Sequence, residues 1–218
     1  ADTDLNTAIL KEAIATREAG LPELSLLILD SALQAGFDSP WILDNKARAL
    51  LLLDNPSEAQ SLWHQLASSD DPSIAQVAHD SLQSLEQQLN SAQQRSSELL
   101  ETLLKACNEA GHSPEHLPDP DALTADTDLN TLILQEAIAT RETGLPELSL
   151  LILDSALQAG FDAPWILDNK ARALLLLDNS SEAQSLWHPL ASSGDPSIAQ
   201  VAHDSLQSLE QQLNSAQQ

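Results

Sequence analysis

Apolar residues along this chain recur mainly at the spacing of one helical face, and no segment shows a sustained strand-like alternation with β-branched residues. In residues 4–19, Leu5, Ile9, Ala13 and Thr16 fall on one side of a helix, and Gly20 follows where a left-handed cap residue is easiest to place. Pro22 suits a first helical position and opens a second helix to about residue 35, ended by Gly36. Its Leu24, Leu26, Leu27, Ile28, Leu29 and Leu33 surround most of the circumference, the pattern of a helix packed by neighbours on more than one side. A third helix starts near Pro40 and runs through WILDNKARALLLLDN. A fourth covers PSEAQSLWHQLAS, with Ser57 or its surroundings as cap, and a fifth begins after DDPS. Loops of a few residues make successive helices antiparallel neighbours. The fold class predicted is all-α, a bundle of antiparallel helix pairs.

The fifth helix continues in an unusual way. Ala75, Ala78, Leu82, Leu85, Leu89, Ala92, Ser96, Leu99, Leu103, Ala106 and Ala110 recur at alternating steps of three and four, a heptad-like stripe. Two arrangements fit: one helix over 73–110, on the order of 57 Å long and able to act as a strut, or two helices broken near Asn90-Ser91. From 111 to 123 the Pro, His and Asp content reads as a flexible or extended linker.

Sliding the chain against itself by 124 residues aligns 1–94 with 125–218 with seven differences in 94 pairs, so the chain is a tandem duplication. The differences are Ala8/Leu132, Lys11/Gln135, Ala19/Thr143, Ser39/Ala163, Pro56/Ser180, Gln65/Pro189 and Asp70/Gly194. Three segments follow: a helical module at 1–94, a helical connector with a Pro-containing linker at 95–124, and a second module at 125–218. The natural repeating unit on this reading is 124 residues, within a longer array. Pro189 inside a helix costs about 3 kcal/mol, so the fourth helix of the second copy is expected to bend or end there, with Gly194 in a loop.

Charge narrows the partners. Nine Lys and Arg stand against 33 Asp and Glu, a net charge of −24, which opposes phosphate backbones and anionic membrane surfaces, so nucleic acid is not expected. No apolar run approaches the roughly 18 residues of a membrane span, and the chain reads as soluble. Cys107, the one cysteine, excludes an intramolecular disulfide and fits a reducing, cytoplasmic setting; the compartment is otherwise unknown.

Residues 40–72, PWILDNKARALLLLDNPSEAQSLWHQLASSDDP, resemble a tetratricopeptide repeat, a two-helix unit of about 34 residues. In that register Ala47 and Ala59 take the small-residue positions and Trp63 the large aromatic one. Lys46, Leu66 and the late Pro72 depart from the family's pattern. Residues 4–38 resemble a more degenerate unit, and SSDDPSIAQVAHDSLQSL is similar to the second half of a HEAT repeat. The resemblance implies an α-solenoid with a concave groove lined by first-helix side chains, and an Asn at the place matched by Asn45 that hydrogen-bonds a bound peptide. Trp41, Asp44, Arg48 and Leu52 share or flank that face by their spacing, and the second copy repeats the set as Trp165, Asp168, Asn169, Arg172 and Leu176. The alternative reading has Trp41 packing on the preceding helix and Arg48 pairing with a local acid.

Catalytic constellations are nearly absent. There is no Gly-rich phosphate loop, nucleophile elbow or HExxH. His64 and His79, with Asp80 beside the latter, lack an oriented nucleophile, so no enzyme and no cofactor is expected. Cys107, His112 and His116 have a spacing zinc accepts. Only three soft ligands occur, however, Gly and Pro separate them, and Cys107 falls on the apolar stripe, so no metal is expected. The expectation is a bivalent scaffold for a peptide or helical protein partner, whose duplication raises avidity. Two alternatives stand: a carrier of a small apolar ligand held around Leu26, Leu29 and Trp63, and a spacer self-associating through the 73–110 helix by Leu85, Leu89, Leu99 and Leu103.

Overall fold

The computed structural model describes residues 2–124 and 127–216. Among them the elements are α1 (Asp2–Glu18), α2 (Pro22–Gln34), α3 (Pro40–Leu52), α4 (Pro56–Ala67), α5 (Pro72–Glu109), a 3₁₀ turn (Pro120–Ala122), α6 (Leu129–Glu142), α7 (Pro146–Gln158), α8 (Pro164–Leu176), α9 (Ser180–Leu190) and α10 (Pro196–Ala216). No strand occurs among the described residues. The chain divides into two compact units, Ala1–Ser91 and Ala92–Gln218.

Local chemistry places the helix ends. Prolines open α2, α3, α4, α7 and α8 at the first turn, where the missing N–H has no intrahelical partner to lose. Gly20, at φ +78°, lets its own N–H and that of Leu21 reach back to the carbonyls of Arg17 and Thr16, both at 3.0 Å. Asp54 adopts the same left-handed conformation at φ +56° after α3, and Asn55 then donates to Leu50 O at 2.9 Å. Asn55, rather than Ser57, caps α4: its side-chain oxygen accepts from Glu58 N at 3.3 Å. Copy-two Pro189 sits in the last turn of α9, which stops at Leu190, one position earlier than its counterpart α4.

In the first unit successive helices pack in order, α1 on α2, α2 on α3, α3 on α4, and α1 also touches α3. Ala13, Leu29, Ala32 and Ile42 form one core between α1, α2 and α3. Ala47, Leu50, Ala59, Trp63, Leu66, Ile74, Ala78 and Leu85 form a second core of α3, α4 and the first part of α5. Buried Ser25 donates to Ala13 O at 2.7 Å, binding α2 to α1 where a small side chain permits close approach. This order of stacked neighbours is solenoid-like, each helix pair completing its burial on the next. No described helix is long and apolar enough to cross a membrane.

The second unit repeats that arrangement and adds to it. Leu99, Leu100, Leu103 and Cys107, from the second part of α5, join Leu129, Ile133, Leu148 and Ile152 in one core, with Leu117 and Leu123 packed against it. The segment after Gly111 is therefore not a free linker but lies against α6 and α7. Buried Glu136 anchors it. Its carboxylate accepts from the backbone N–H groups of Glu115 (3.0 Å) and His116 (2.8 Å), and lies 2.6 Å from His112 Nε2. The heptad-like stripe is mostly consumed inside the units: Leu85, Leu99 and Leu103 are buried, and Leu89 is exposed.

The connector's docking has a chemical signature. Cys107 is buried, and its thiol is pushed up to about 11, first by burial and then by the nearby Glu136 carboxylate. A thiol raised this far keeps its proton through neutral pH, and unfolding returns it to the ordinary range. Cys107 is therefore expected to react with a disulfide reagent at pH 8 at least about 100-fold more slowly in the native protein than in denaturant. Equal rates would show that the connector is not held as described.

Candidate functional site

The site is built outward from α3. Asp44 and Asn45 lie in the middle of this helix and are both buried, so their polar atoms need internal partners. Asp44 Oδ1 accepts from Trp63 Nε1 on α4 at 3.0 Å, and Oδ2 accepts from Arg48 Nε, one turn along α3, at 2.8 Å. Asn45 Nδ2 donates to Trp41 O at 2.9 Å, and its oxygen accepts from Arg17 Nη1 on α1 at 2.9 Å. The second unit holds the same network, with Trp187 Nε1 and Arg172 Nε on Asp168 at 2.8 Å each, and Arg141 Nη1 on Asn169 at 2.8 Å.

These bonds bring Arg17 and Arg48 together at the mouth of a groove of about 590 Å³, whose wall is completed by the first part of α5. Leu51, Leu52, Trp63 and Leu85 give it an apolar lining; Ser81, Ser84 and Gln88 add neutral polar groups, and Asp80 one acid. Arg48 Nη2 reaches Ser81 Oγ at 3.4 Å, which leaves the outer face of its guanidinium toward the groove. Asp80 accepts from Gln76 Nε2 at 2.8 Å along its own helix. The second unit has the equivalent groove, about 540 Å³, with Arg141, Arg172, Leu175, Leu176, Trp187 and Ser205 in the matching places. None of the seven differences between the copies falls on a lining residue.

Electrostatics single out the two arginines. The first copy carries four basic residues in all, and two of them line this groove. Burial lowers the pKa of Arg17 from its ordinary value, and the neighbouring charge of Arg48 lowers it further. Arg141 is lowered in the same way, by burial and then by Arg172. Both guanidiniums remain charged at neutral pH, since arginine starts so high. Two like charges held side by side, with the ion-paired Asp44 beneath them and Asp80 in the groove wall as the only acids described there, can receive an anionic group by charge-assisted hydrogen bonds.

The residues expected from the sequence separate. Arg48, Leu52, Arg172 and Leu176 line the grooves. Asp44, Asn45, Asp168 and Asn169 lie beneath them and are spent on internal hydrogen bonds. Trp41 and Trp165 are partly exposed and are not among the groove-lining residues. Sequence reasoning missed Arg17 and the α5 wall, Ser81, Ser84 and Gln88. The available signal was the scarcity of bases: in so acidic a chain, a second arginine near a helix end marks a candidate. His112 faces Glu136, Cys107 is enclosed by leucines, and no group of three or more metal-ligating side chains suited to an ion is found among the described residues. Leu29 and Trp63, suggested as the walls of a ligand cavity, belong to two different packed cores.

Trp63 carries the test of the network. Trp63→Phe with Trp187→Phe keeps most of the apolar volume but removes the N–H donated to each buried carboxylate, a loss of about 1–3 kcal/mol per site. The urea midpoint followed by far-UV circular dichroism is expected to fall markedly, and an unchanged midpoint would show that these bonds contribute no net stability. No protein-family model, curated protein or solved structure matches the chain.

Proposed function

We propose that this protein is a non-catalytic interaction scaffold in which each of two equivalent grooves binds an acidic, partly apolar segment of another protein. The observation that carries the reading is the pair of guanidiniums, Arg17 with Arg48 and Arg141 with Arg172, set over an apolar lining in a chain otherwise poor in bases. The apolar lining takes an aliphatic or aromatic side chain, and the arginine pair takes a side-chain or chain-terminal carboxylate by charge-assisted hydrogen bonds. The tetratricopeptide resemblance of residues 40–72 agrees with this, because three of the lining residues, Arg48, Leu51 and Leu52, come from the first helix of that pair. Duplication then acts through avidity: a partner with two such segments gains over a partner with one, provided its spacing lets both engage.

The test uses the full chain against an immobilised peptide library in which each sequence is present with a free or amidated C-terminus and with acidic residues or their amides. Selected peptides are expected to carry a carboxylate next to an apolar residue, and neutralising it should weaken binding at least about tenfold, the scale of one charge-assisted bond. Arg17→Gln keeps a side-chain donor for Asn45 while removing the charge, so Arg17→Gln with Arg141→Gln should weaken capture without unfolding the units. For a tandem peptide, Arg17→Gln alone should remove the avidity gain. Selection of neutral or basic peptides, or binding indifferent to both arginine changes, would overturn the reading.

A further inference from the structure

The two copies share one surface that they treat differently. In the second unit, Leu129 and Leu148 are 5% and 6% exposed, Ile133 and Ile152 are fully buried, and Glu136 is fully buried. The matching residues of the first unit, Leu5, Leu24, Ile9, Ile28 and Glu12, are identical in type, but Ile9 and Ile28 are only half-buried and the other three are exposed. Leu5 is 49% exposed, Leu24 is 43% exposed, and Glu12 lies at the surface. The cover on the second unit comes from residues 95–123, while the helices beneath, α1 and α6, differ only by Ala8/Leu132 and Lys11/Gln135. In the second unit this segment lays Leu99, Leu100, Leu103 and Cys107 across α6 and α7, then turns at Gly111 so that His112 and the N–H groups of Glu115 and His116 close on Glu136.

We infer that the α1–α2 face of the first unit is a docking site for a polypeptide segment with the connector's own pattern: an amphipathic helix carrying Leu-Leu-x-x-Leu, followed by a turn that presents backbone N–H groups and an imidazole to Glu12. The occupant is specified by the chain itself, because a nearly identical face elsewhere in the molecule is seen with that segment seated on it. Apolar area alone would accept many helices. Glu12 supplies the selectivity, since its carboxylate on desolvation requires the three partners that Glu136 receives, and a helix without the following turn leaves it unpaired. Bound in trans, the segment lacks the covalent tether that gives the connector a high effective concentration on the second unit, so its binding is weaker and reversible. None of Leu5, Ile9, Glu12, Leu24 and Ile28 lines the arginine groove, so the test of this face is independent of the groove's.

The experiment is a fluorescence-anisotropy titration of a labelled synthetic peptide of residues 95–124 with the full chain. One saturable site per chain is expected, since the second unit's face is already filled by its own connector. Glu12→Ala, a substitution at an exposed position that leaves the fold intact, is expected to weaken binding at least tenfold, as is His112→Ala or Leu103→Asp in the peptide; Leu24→Asp in the protein should abolish it. Circular dichroism of each protein variant establishes that it is folded. Absence of saturable binding overturns the inference, and so does binding unaffected by Glu12→Ala, which would place the peptide on the second unit by displacement. Self-association of the chain that Leu24→Asp abolishes and the peptide does not inhibit overturns it too, in favour of a second copy as the occupant.

Discussion

A carboxylate buried in the middle of a helix is the constraint on which each unit of this protein depends. Asp44, on α3, cannot remain charged in the interior without donors, and the donors it finds come from two directions: the indole of Trp63 on α4 and the guanidinium of Arg48 one turn away. The first bond sets the register of α3 against α4, because an indole N–H has one direction in which to donate. The second holds Arg48 by its Nε and turns the rest of its guanidinium outward. Beside it, Asn45 does the same for Arg17, connecting α1 to α3. The groove's charge is thus positioned largely by Asp44 and Asn45, which do not line the groove, and the same pair recurs in the second unit as Asp168 and Asn169.

Burial in this molecule belongs to the neighbourhood rather than to the residue. Leu5 and Leu129 occupy matching positions in nearly identical copies, yet one is half exposed and the other is enclosed. Glu12 and Glu136 differ in the same sense, one solvated and one holding three hydrogen-bond partners. The energetic role of such a residue changes sign with its cover: an isolated carboxylate prefers water, but one supplied with two N–H groups and an imidazole becomes an anchor. The connector, whose composition suggests a loose linker, is ordered because the surface beside it offers both leucines to pack on and this acceptor.

Local signals in the sequence carry far for the fold and only part of the way for the site. Helix beginnings at prolines, endings at Gly20 and Gly36, the duplication and the all-α class are written in short-range chemistry that works within one turn of chain. The Asp44–Arg48 pair is legible for the same reason, being four residues apart on one helix. The Asp44–Trp63 bond spans nineteen residues, and the Arg17–Asn45 bond twenty-eight. Neither has a periodicity to announce it, so the sequence places Asp44 and Asn45 on the groove face of α3, whereas packing buries them at its centre.

The sequence by itself determined the all-α class, most helix ends at Pro and Gly, that the module is present twice, and that bases are scarce, while it left open whether 73–110 is one helix, as it is in α5. Only the tertiary structure decided which of those bases meet, which side of α3 faces inward, and which copy's α1–α2 face is covered. The physical reason is that helix formation is a competition among nearby residues, whereas burial and charge pairing depend on elements brought together by packing, whose identity no local window contains.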